Sequence, residues 1–261
     1  MPALGLGTWQ QRERCAESVR IALETGYRHV DTAAAYGNEQ AVGDGIDRAA
    51  VDRDRIFVAT KVWHTDLAYE DVIASAESSL NRLGTEYFHL LYVHWPANTY
   101  DPAETLPAFD DLRDRGLIRH VGVSNFEPAH IERAEEILSA PIAANRVELH
   151  PYLPRSDLRT FADQRDLSLV AYTPLARGAL LEDDVLGEIA SAHDATPAQI
   201  ALAWLCHHGI AAIPKATGEA HIRENYRSLE LELSPAEVGR IDAIDRRHRV
   251  VHPSFAPAAW D

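Results

Sequence analysis

The chain has 261 residues, of which 46% are hydrophobic and 25% are charged, so it can bury one large core or two small ones. Forty acidic side chains against 25 basic ones give a formal net charge of −15, which makes nucleic acid and anionic membranes poor partners. Disordered chains and miniprotein scaffolds are excluded, and the composition favours a small-molecule ligand.

Cysteine and lysine are both rare. Only Cys15 and Cys206 occur, without a C-x-x-C pair, so a disulfide framework or a zinc ribbon has little support. No basic segment followed by an apolar core opens the chain, and no apolar run approaches about 18 residues; we therefore expect a cytoplasmic protein with no membrane insertion. The basic residues comprise 23 Arg and only two Lys, Lys61 and Lys215, which makes each lysine a candidate functional residue.

Short β-rich runs alternate with helical patterns of roughly 10–15 residues, an order typical of parallel β/α units. The eight predicted strands cover residues 4–8, 27–31, 56–60, 88–94, 118–123, 143–148, 168–171 and 211–213. The helices predicted between them include residues 16–24, 39–49, 69–83, 131–138, 158–165 and 198–207, the last with Thr196 as N-cap and Pro197 in its first turn.

Eight such units in one chain without a linker or repeat predict a single (β/α)8 TIM barrel over residues 1–261, an α/β fold. A doubly wound sheet is the alternative. It has weaker support because the segment Gly5-Leu6-Gly7 lacks the third glycine of a dinucleotide fingerprint and is not followed at once by a helix.

Polar side chains follow three neighbouring predicted strands, at the end of a barrel where active sites form. Asp31 ends the second strand, Lys61 follows the third and His94 ends the fourth, while Tyr36 lies five residues beyond Asp31. Each residue alone has an ordinary structural explanation, such as a helix cap or a packing role. Together they predict an acid, an amine, an imidazole and a phenol at one rim.

A phenol with a pKa of about 10 is a poor proton donor at neutral pH unless a cation stabilises the phenolate. An ammonium about 4 Å away could lower that pKa by roughly 3 units as an upper bound. We therefore expect Lys61 to acidify Tyr36, Asp31 to keep the lysine charged, and His94 to hydrogen-bond a substrate carbonyl or the phenol.

Six ordered motifs at matching spacing resemble the aldo-keto reductases, in particular prokaryotic aldehyde and ketone reductases similar to 2,5-diketo-D-gluconate reductase. The motifs are Asp31-Thr32-Ala33, Tyr36-Gly37-Asn38-Glu39, Thr60-Lys61-Val62-Trp63, His94-Trp95-Pro96, Gly122-Val123-Ser124-Asn125-Phe126 and Ile213-Pro214-Lys215. The likeness runs from Gly5 to the last five residues, Pro257-Ala258-Ala259-Trp260-Asp261. It implies a barrel enzyme that reduces an aldehyde or ketone to an alcohol with NADPH, with Asp31, Tyr36, Lys61 and His94 as catalytic tetrad and Tyr36 as general acid.

The same resemblance implies where the cofactor binds. The carboxamide of the nicotinamide would contact Ser124, Asn125 and Arg146, its ring would stack on Tyr172, and the pyrophosphate would lie along Thr173, Pro174, Leu175 and Arg177. Thr8 and Asp31 would also contact the cofactor. The adenosine end of the cofactor would contact Lys215, Ala216, Thr217, His221, Glu224 and Asn225. Trp9, Trp63, His94 and Trp95 would wall the substrate pocket, and no metal is implied.

Three positions depart from the family pattern. Arg146 stands where the family usually has Gln, and it can donate but not accept a hydrogen bond. Ala216 and His221 replace a Ser and an Arg that grip the 2′-phosphate. The resemblance therefore implies NADPH, with NADH open and Lys215 the main cation for that phosphate. Short connections after the fourth and seventh strands predict an open pocket.

Three other functions stay open. A cofactor-sensing regulatory subunit would keep the binding site with little turnover. A Schiff-base aldolase would use Lys61, although imine chemistry needs a neutral amine. A metal hydrolase would use some of the 13 His, but no H-x-H follows the first strand. The acidic excess also raises the hypothesis of a halophilic protein. A monomer is expected.

Overall fold

The computed structural model describes residues 1–257 and contains eight parallel strands in the order β1 to β8. The strands are β1 (Leu6–Gly7), β2 (His29–Asp31), β3 (Phe57–Val62), β4 (Phe88–Val93), β5 (Ile118–Ser124), β6 (Ile142–Glu148), β7 (Ser168–Tyr172) and β8 (Ala211–Ala212). Parallel bridges from Leu4 to Ala212 and from Gly7 to Lys215 join the last strand to the first. The predicted TIM barrel is confirmed.

Within residues 1–257, ten α-helices connect and surround the strands. They are α1 (Cys15–Thr25), α2 (Glu39–Arg48), α3 (Tyr69–Leu83), α4 (Pro102–Asp114), α5 (Pro128–Glu135), α6 (Ser156–Asp163), α7 (Asp184–Ala192), α8 (Pro197–His207), α9 (Glu219–Arg227) and α10 (Pro235–Asp242). The predicted Thr196 cap of α8 is confirmed, since its hydroxyl accepts a hydrogen bond from the Gln199 amide. None of the helices within residues 1–257 is long and apolar enough to cross a membrane.

Several predicted boundaries were wrong. Helix α5 begins three residues before the predicted start, because Pro128 occupies its first turn and Glu127 forms a capping box with His130. Strand β3 continues to Val62, so Lys61 lies inside the strand, opposite Tyr92 of β4, and not after it. Helices α4, α7, α9 and α10 were not among the predicted ones; α9 and α10 each bury only two side chains, which weakens their apolar period.

The core has two layers. One fills the barrel interior with Ala59, Leu90, Tyr92, Ala144, Val170, Tyr172, Ala211 and Ile213. The larger one packs the helices against the outer face of the sheet. Between α2, β3 and α3 a buried carboxylate joins the elements: Glu39 accepts hydrogen bonds from Thr60 (2.6 Å), Ser79 (3.0 Å) and Arg82 (2.8 Å). These contacts hold β3, and with it Lys61, against the helices.

Candidate active site

A cavity of about 910 Å³ opens at the carboxyl ends of the strands. It brings together most of the residues predicted for the site. Those that line it are Thr8, Trp9, Asp31, Tyr36, Trp63, His94, Trp95, Asn125, Arg146, Tyr172, Thr173, Pro174, Leu175, Arg177 and Lys215. This is the end of the barrel at which parallel β/α barrels carry their active sites.

Tyr36 ends a short 3₁₀ turn, Ala34–Tyr36, that follows β2. Gly37 terminates the turn with a φ of 65°, a left-handed conformation that glycine adopts without strain. The turn places the Tyr36 ring 5.1 Å from the Lys61 ammonium nitrogen and 5.9 Å from the His94 ring, in an edge-on arrangement. The predicted grouping of these side chains at one mouth of the barrel is therefore present.

Lys61 lies beneath the cavity and is fully buried, so it does not line the cavity itself. Its ammonium donates to Asp31 Oδ1 at 2.7 Å and to the backbone carbonyl of Thr32. Burial and the nearby Arg146 guanidinium lower the pKa of Lys61 to about 7, against the pull of Asp31. Burial alone would favour a protonated Asp31, but Lys61 and Arg146 outweigh it and hold the pKa of that carboxyl below its usual value.

The sequence led us to expect Lys61 to acidify Tyr36, but the cation in hydrogen-bond contact with the phenol in the structure is Arg146. Burial raises the pKa of the phenol to about 12, with Arg146 acting in the opposite direction. The reason is geometric: the Lys61 ammonium bonds to Asp31 and Thr32, whereas the cation that contacts the phenol is Arg146, whose Nη2 donates to the Tyr36 hydroxyl at 3.2 Å. The acidifying role of Lys61 stays a prediction.

Arg146 lies on β6 and is 7% exposed. Its side chain makes three contacts in the cavity. Besides its bond to Tyr36, its Nε lies 3.4 Å from Asp31 Oδ1 and its guanidinium carbon lies 4.6 Å from the centre of the Tyr172 ring. The guanidinium thus covers part of the ring on which the resemblance places the nicotinamide. Stacking there requires either the uncovered part of Tyr172 or a shift of Arg146.

His94 is 5% exposed and sits at the end of β4. Burial lowers the pKa of its imidazole well below the usual value, with Lys61 and Arg146 adding to the effect. Its Nδ1 has no hydrogen-bond partner among residues 1–257. A neutral imidazole beside the Tyr36 ring can hydrogen-bond a polar ligand in the cavity.

Ser124 and Asn125 lie at the end of β5 and bond to neighbouring groups of the protein. The Ser124 hydroxyl donates to the carbonyl of Arg146 at 2.9 Å. The Asn125 amide donates to the His94 carbonyl at 2.9 Å and accepts from the Tyr172 hydroxyl at 2.8 Å. Asn125 lines the cavity, whereas Ser124 does not. A ligand amide would have to exchange with these bonds.

The loop after β7 carries backbone strain. Thr173, Ala176 and Arg177 have φ angles of 51°, 46° and 53°, in the left-handed region that non-glycine residues seldom adopt. Such outliers concentrate at ligand-binding segments. The exposed Arg177 guanidinium also lies 5.2 Å from the centre of the Trp9 ring, so a cation stands at the side of the cavity where a phosphate is expected.

The predicted adenosine end is only partly assembled. Lys215 is exposed and lines the cavity, while Ala216 and Asn225 are buried and outside it, and His221 is exposed and also outside it. Thr217 is half-buried, and its carbonyl accepts from Ser18. The Glu224 carboxylate accepts from the Thr196 hydroxyl at 2.8 Å, so it is engaged in holding α8 and α9 together.

The predicted aromatic walls are present, and the chain beyond α10 adds to them. Phe255 packs on Trp63, His64 and Trp95, with ring centres 5.7, 4.0 and 5.5 Å away. Val251 and Pro253 line the cavity as well. The segment before residue 258 thus covers one side of the cavity, a contact that the short connections after the fourth and seventh strands did not predict. Trp260 and the rest of residues 258–261 lie outside the described part of the chain.

Within residues 1–257 no three His, Cys, Asp or Glu side chains are grouped so that they could hold a metal ion.

Comparison with known proteins identifies the family. The model of the Aldo/keto reductase family matches residues 3–246. The chain belongs to this family. Glyoxal reductase from Bacillus subtilis is 38% identical over 96% of this chain and 91% of its own length.

Two solved structures have the same fold. A putative 2,5-diketo-D-gluconic acid reductase B superposes with a TM-score of 0.94 and 38% identity over 100% of this chain and 94% of the other. The Bombyx mori aldo-keto reductase in complex with NADP superposes with a TM-score of 0.91 and 30% identity over 97% and 92%. The resemblance seen in the motifs is confirmed.

Two features of this aldo-keto reductase were missed from its sequence. One is the contact of Arg146 with Tyr36, which are 110 positions apart. The other is Glu148, a fully buried carboxylate two residues further along β6 that accepts from the backbone amides of Val250 (2.7 Å) and Val251 (2.9 Å). A buried acid at a strand end was the available signal for the second feature; none in the sequence indicated the first.

Proposed function

We propose that the protein reduces an aldehyde or ketone to an alcohol, with Tyr36 as the proton donor. The observation that carries the proposal is the set of Tyr36, Asp31, Lys61 and His94 around one cavity of an aldo/keto reductase barrel. The nicotinamide cofactor would supply the hydride. The relatives named as reductases favour turnover over a regulatory role.

Each of the four residues has a distinct role in the proposal. The Tyr36 O–H bond breaks as its proton passes to the carbonyl oxygen, so that charge does not accumulate on that oxygen. Asp31 and Lys61 form a buried pair below the phenol that keeps this part of the site polar and ordered. His94, neutral and next to Tyr36, would orient the carbonyl through a hydrogen bond.

The cofactor-binding residues implied by the family pattern remain proposals, and the cavity supports most of them. The nicotinamide would lie near Asn125 and Tyr172, and the pyrophosphate along residues 173–177, where the strained loop lies. We propose NADPH over NADH because Lys215 faces the same cavity. His221 is exposed, so His221→Arg should tighten NADPH relative to NADH; an unchanged ratio of the two Kd values would place the adenosine end elsewhere.

Small, reactive carbonyl compounds are the proposed substrate class. Trp63, Trp95 and Phe255 make an apolar wall facing the polar group around Tyr36, which suits a compact substrate with one polar end. Glyoxal reductase among the relatives supports testing dicarbonyls first. The reducing cytoplasm, supported by the free cysteines Cys15 and Cys206, and the monomeric state are part of the proposal.

The test is a spectrophotometric screen of NADPH and NADH oxidation with aldehydes, ketones, ketoacids and sugars. Tyr36→Phe should bind cofactor normally and lose carbonyl reduction. Tyr100→Phe is the matched control, since the Tyr100 hydroxyl is buried without a hydrogen-bond partner among the described residues and lies outside the cavity. Full turnover by Tyr36→Phe would refute the proposed role of Tyr36.

The aldolase alternative is tested separately. The pKa of Lys61 near 7 would suit imine formation, but its amine is buried beneath the cavity and bonded to Asp31. Borohydride trapping with a carbonyl substrate should therefore leave Lys61 unlabelled, and labelling would favour the aldolase.

A further inference from the structure

We propose that Arg146 is a catalytic residue that hydrogen-bonds the proton donor and stabilises the phenolate formed when Tyr36 gives up its proton. This inference rests on the proposed function, because it assigns Arg146 to the same proton transfer. It differs from the role implied by the family pattern, in which this position contacts the carboxamide of the cofactor.

The contacts distinguish the two cations of the site. Arg146 Nη2 donates to the Tyr36 hydroxyl at 3.2 Å, whereas the Lys61 ammonium lies 5.1 Å from the Tyr36 ring centre and bonds to Asp31 at 2.7 Å. Arg146 is therefore the cation in hydrogen-bond contact with the atom that would lose the proton. A charge-assisted bond to an oxygen strengthens as that oxygen becomes negative.

The backbone holds Arg146 in place. Its backbone carbonyl accepts hydrogen bonds from the Ser124 hydroxyl at 2.9 Å and from the backbone amide of Asn125 at 2.9 Å. Its Nε lies 3.4 Å from Asp31 and its guanidinium packs on Tyr172. With the nicotinamide on the uncovered part of Tyr172, a donor held in this way needs little rearrangement when charge develops on the phenol.

The ionisable groups around Tyr36 come from several strands, and they leave Arg146 as the permanent cation. They are Asp31 on β2, Lys61 on β3, Tyr92 and His94 on and after β4, Arg146 on β6 and Tyr172 on β7. Lys61, with a pKa of about 7, loses its charge as the pH rises through neutrality. A guanidinium keeps its charge throughout, so Arg146 still places a cation beside the phenolate at alkaline pH.

The Tyr36 O–H bond breaks, and the new O–H bond forms on the carbonyl oxygen as hydride reaches the carbonyl carbon. The phenolate that remains accepts hydrogen bonds from Arg146 until solvent returns a proton. Because the Arg146 bond gains strength during this step, it lowers the barrier and raises kcat.

The test compares Arg146→Gln and Arg146→Lys with wild type, and Arg119→Gln serves as a surface control. We expect kcat at saturating NADPH to fall at least about tenfold in Arg146→Gln, less in Arg146→Lys, and NADPH Kd from protein fluorescence to stay within about threefold. The residual activity of Arg146→Gln should also decline at alkaline pH as Lys61 loses its proton, at a higher pH than the wild-type Lys61 pKa because Arg146 no longer lowers that pKa, while the activity of wild type should not decline there. Guanidinium ion added to Arg146→Ala should restore turnover.

Other outcomes would overturn the inference. A kcat within about twofold of wild type, with a raised NADPH Kd, would assign Arg146 to cofactor binding. A loss that neither Arg146→Lys nor guanidinium relieves would indicate a structural role, and thermal melts show whether each variant folds. Failure of the inference is distinct from failure of the function: active Tyr36→Phe refutes the function, whereas inactive Tyr36→Phe with active Arg146→Gln refutes only the role of Arg146.

Discussion

Asp31 is predicted to stabilise the protein in a pH-dependent way, because its one carboxylate faces two buried cations. Oδ1 lies 2.7 Å from the Lys61 ammonium and 3.4 Å from Arg146 Nε. Asp31→Asn removes the negative charge and leaves both cations buried. Arg146 stays charged at every pH, whereas Lys61 can escape the penalty by losing its proton.

The magnitude follows from the Lys61 titration. Its folded pKa of about 7 lies below the ordinary 10.5, so the unfolded chain binds more protons between these values and stability from this group rises with pH. Asp31→Asn lowers the pKa of Lys61 in the folded protein further, because it removes the carboxylate that raises this pKa. Above pH 7 the Lys61 amine is neutral in folded wild type and in folded Asp31→Asn, so it contributes equally to the unfolding free energy of both. Below pH 7 Lys61 takes up its proton in folded wild type but not in folded Asp31→Asn. The unfolding free energy lost in the variant therefore grows by about 1.4 kcal/mol for each pH unit that the pH falls.

The loss of unfolding free energy should therefore be about 1.4 kcal/mol larger at pH 6 than at pH 8. Added to it is a pH-independent loss of about 1–3 kcal/mol from Arg146 without its partner. His29, whose pKa burial lowers to about 4, is neutral across this range and does not contribute.

Urea unfolding at both pH values measures the effect in four proteins: wild type, Asp31→Asn, Lys61→Met and the double variant. The excess loss at pH 6 should disappear in the Lys61→Met background, since no amine remains to titrate. An equal loss at pH 6 and pH 8 in both backgrounds would mean that Lys61 does not change charge near neutrality, and it would contradict the proposed pH dependence.

Five further predictions concern stability and the covered side of the cavity. Glu39→Gln should cost about 2–3 kcal/mol in urea unfolding, because it removes a buried charge that accepts three side-chain bonds. Gly45→Ala should destabilise by about 1–3 kcal/mol, since a Cβ there would lie 2.5 Å from the Ala16 carbonyl; Gly187→Ala, with open space around it in α7, should instead stabilise by about 0.5–1 kcal/mol. Glu148→Gln should raise KM for the carbonyl substrate more than it lowers kcat, because it loosens the segment that carries the cavity wall. The melting temperature should rise along a KCl series more than that of a neutral control protein if the acidic excess is halophilic in origin, and no greater rise would end that hypothesis.

Local patterns were enough to predict the barrel and the core of its site. Strand ends are set by short runs of apolar residues, and parallel strands bring those ends to one rim, so Asp31, Lys61 and His94 could be grouped without a structure. The boundaries of β3 and α5 moved because pairing with β4 and a proline-led cap, respectively, outweighed the local pattern.

Contacts made by long side chains and by distant segments were not predictable in the same way. The Arg146 guanidinium reaches across the mouth of the barrel to Tyr36, and no periodicity in the sequence reports where such a side chain ends. The wall formed by Phe255 depends on a segment without regular structure that crosses the rim after α10. Helix α9 was missed for another reason, namely that it buries only Ile222 and Asn225.

Two of the contacts that the sequence did not predict, those of Arg146 with Tyr36 and of Glu148 with Val250 and Val251, arise on the same face of β6. Side chains two positions apart on a strand point to the same side, so Arg146 and Glu148 both face the barrel interior at its upper end. Arg146 is the lower of the two and reaches Tyr36, while Glu148, one step nearer the rim, holds the amides of Val250 and Val251. A shift of β6 along its axis would therefore move the cation at the proton donor and the anchor of the substrate wall together. Variants of Glu148 should for this reason alter the response of kcat to pH as well as KM, whereas changes in Phe255 itself should alter KM alone.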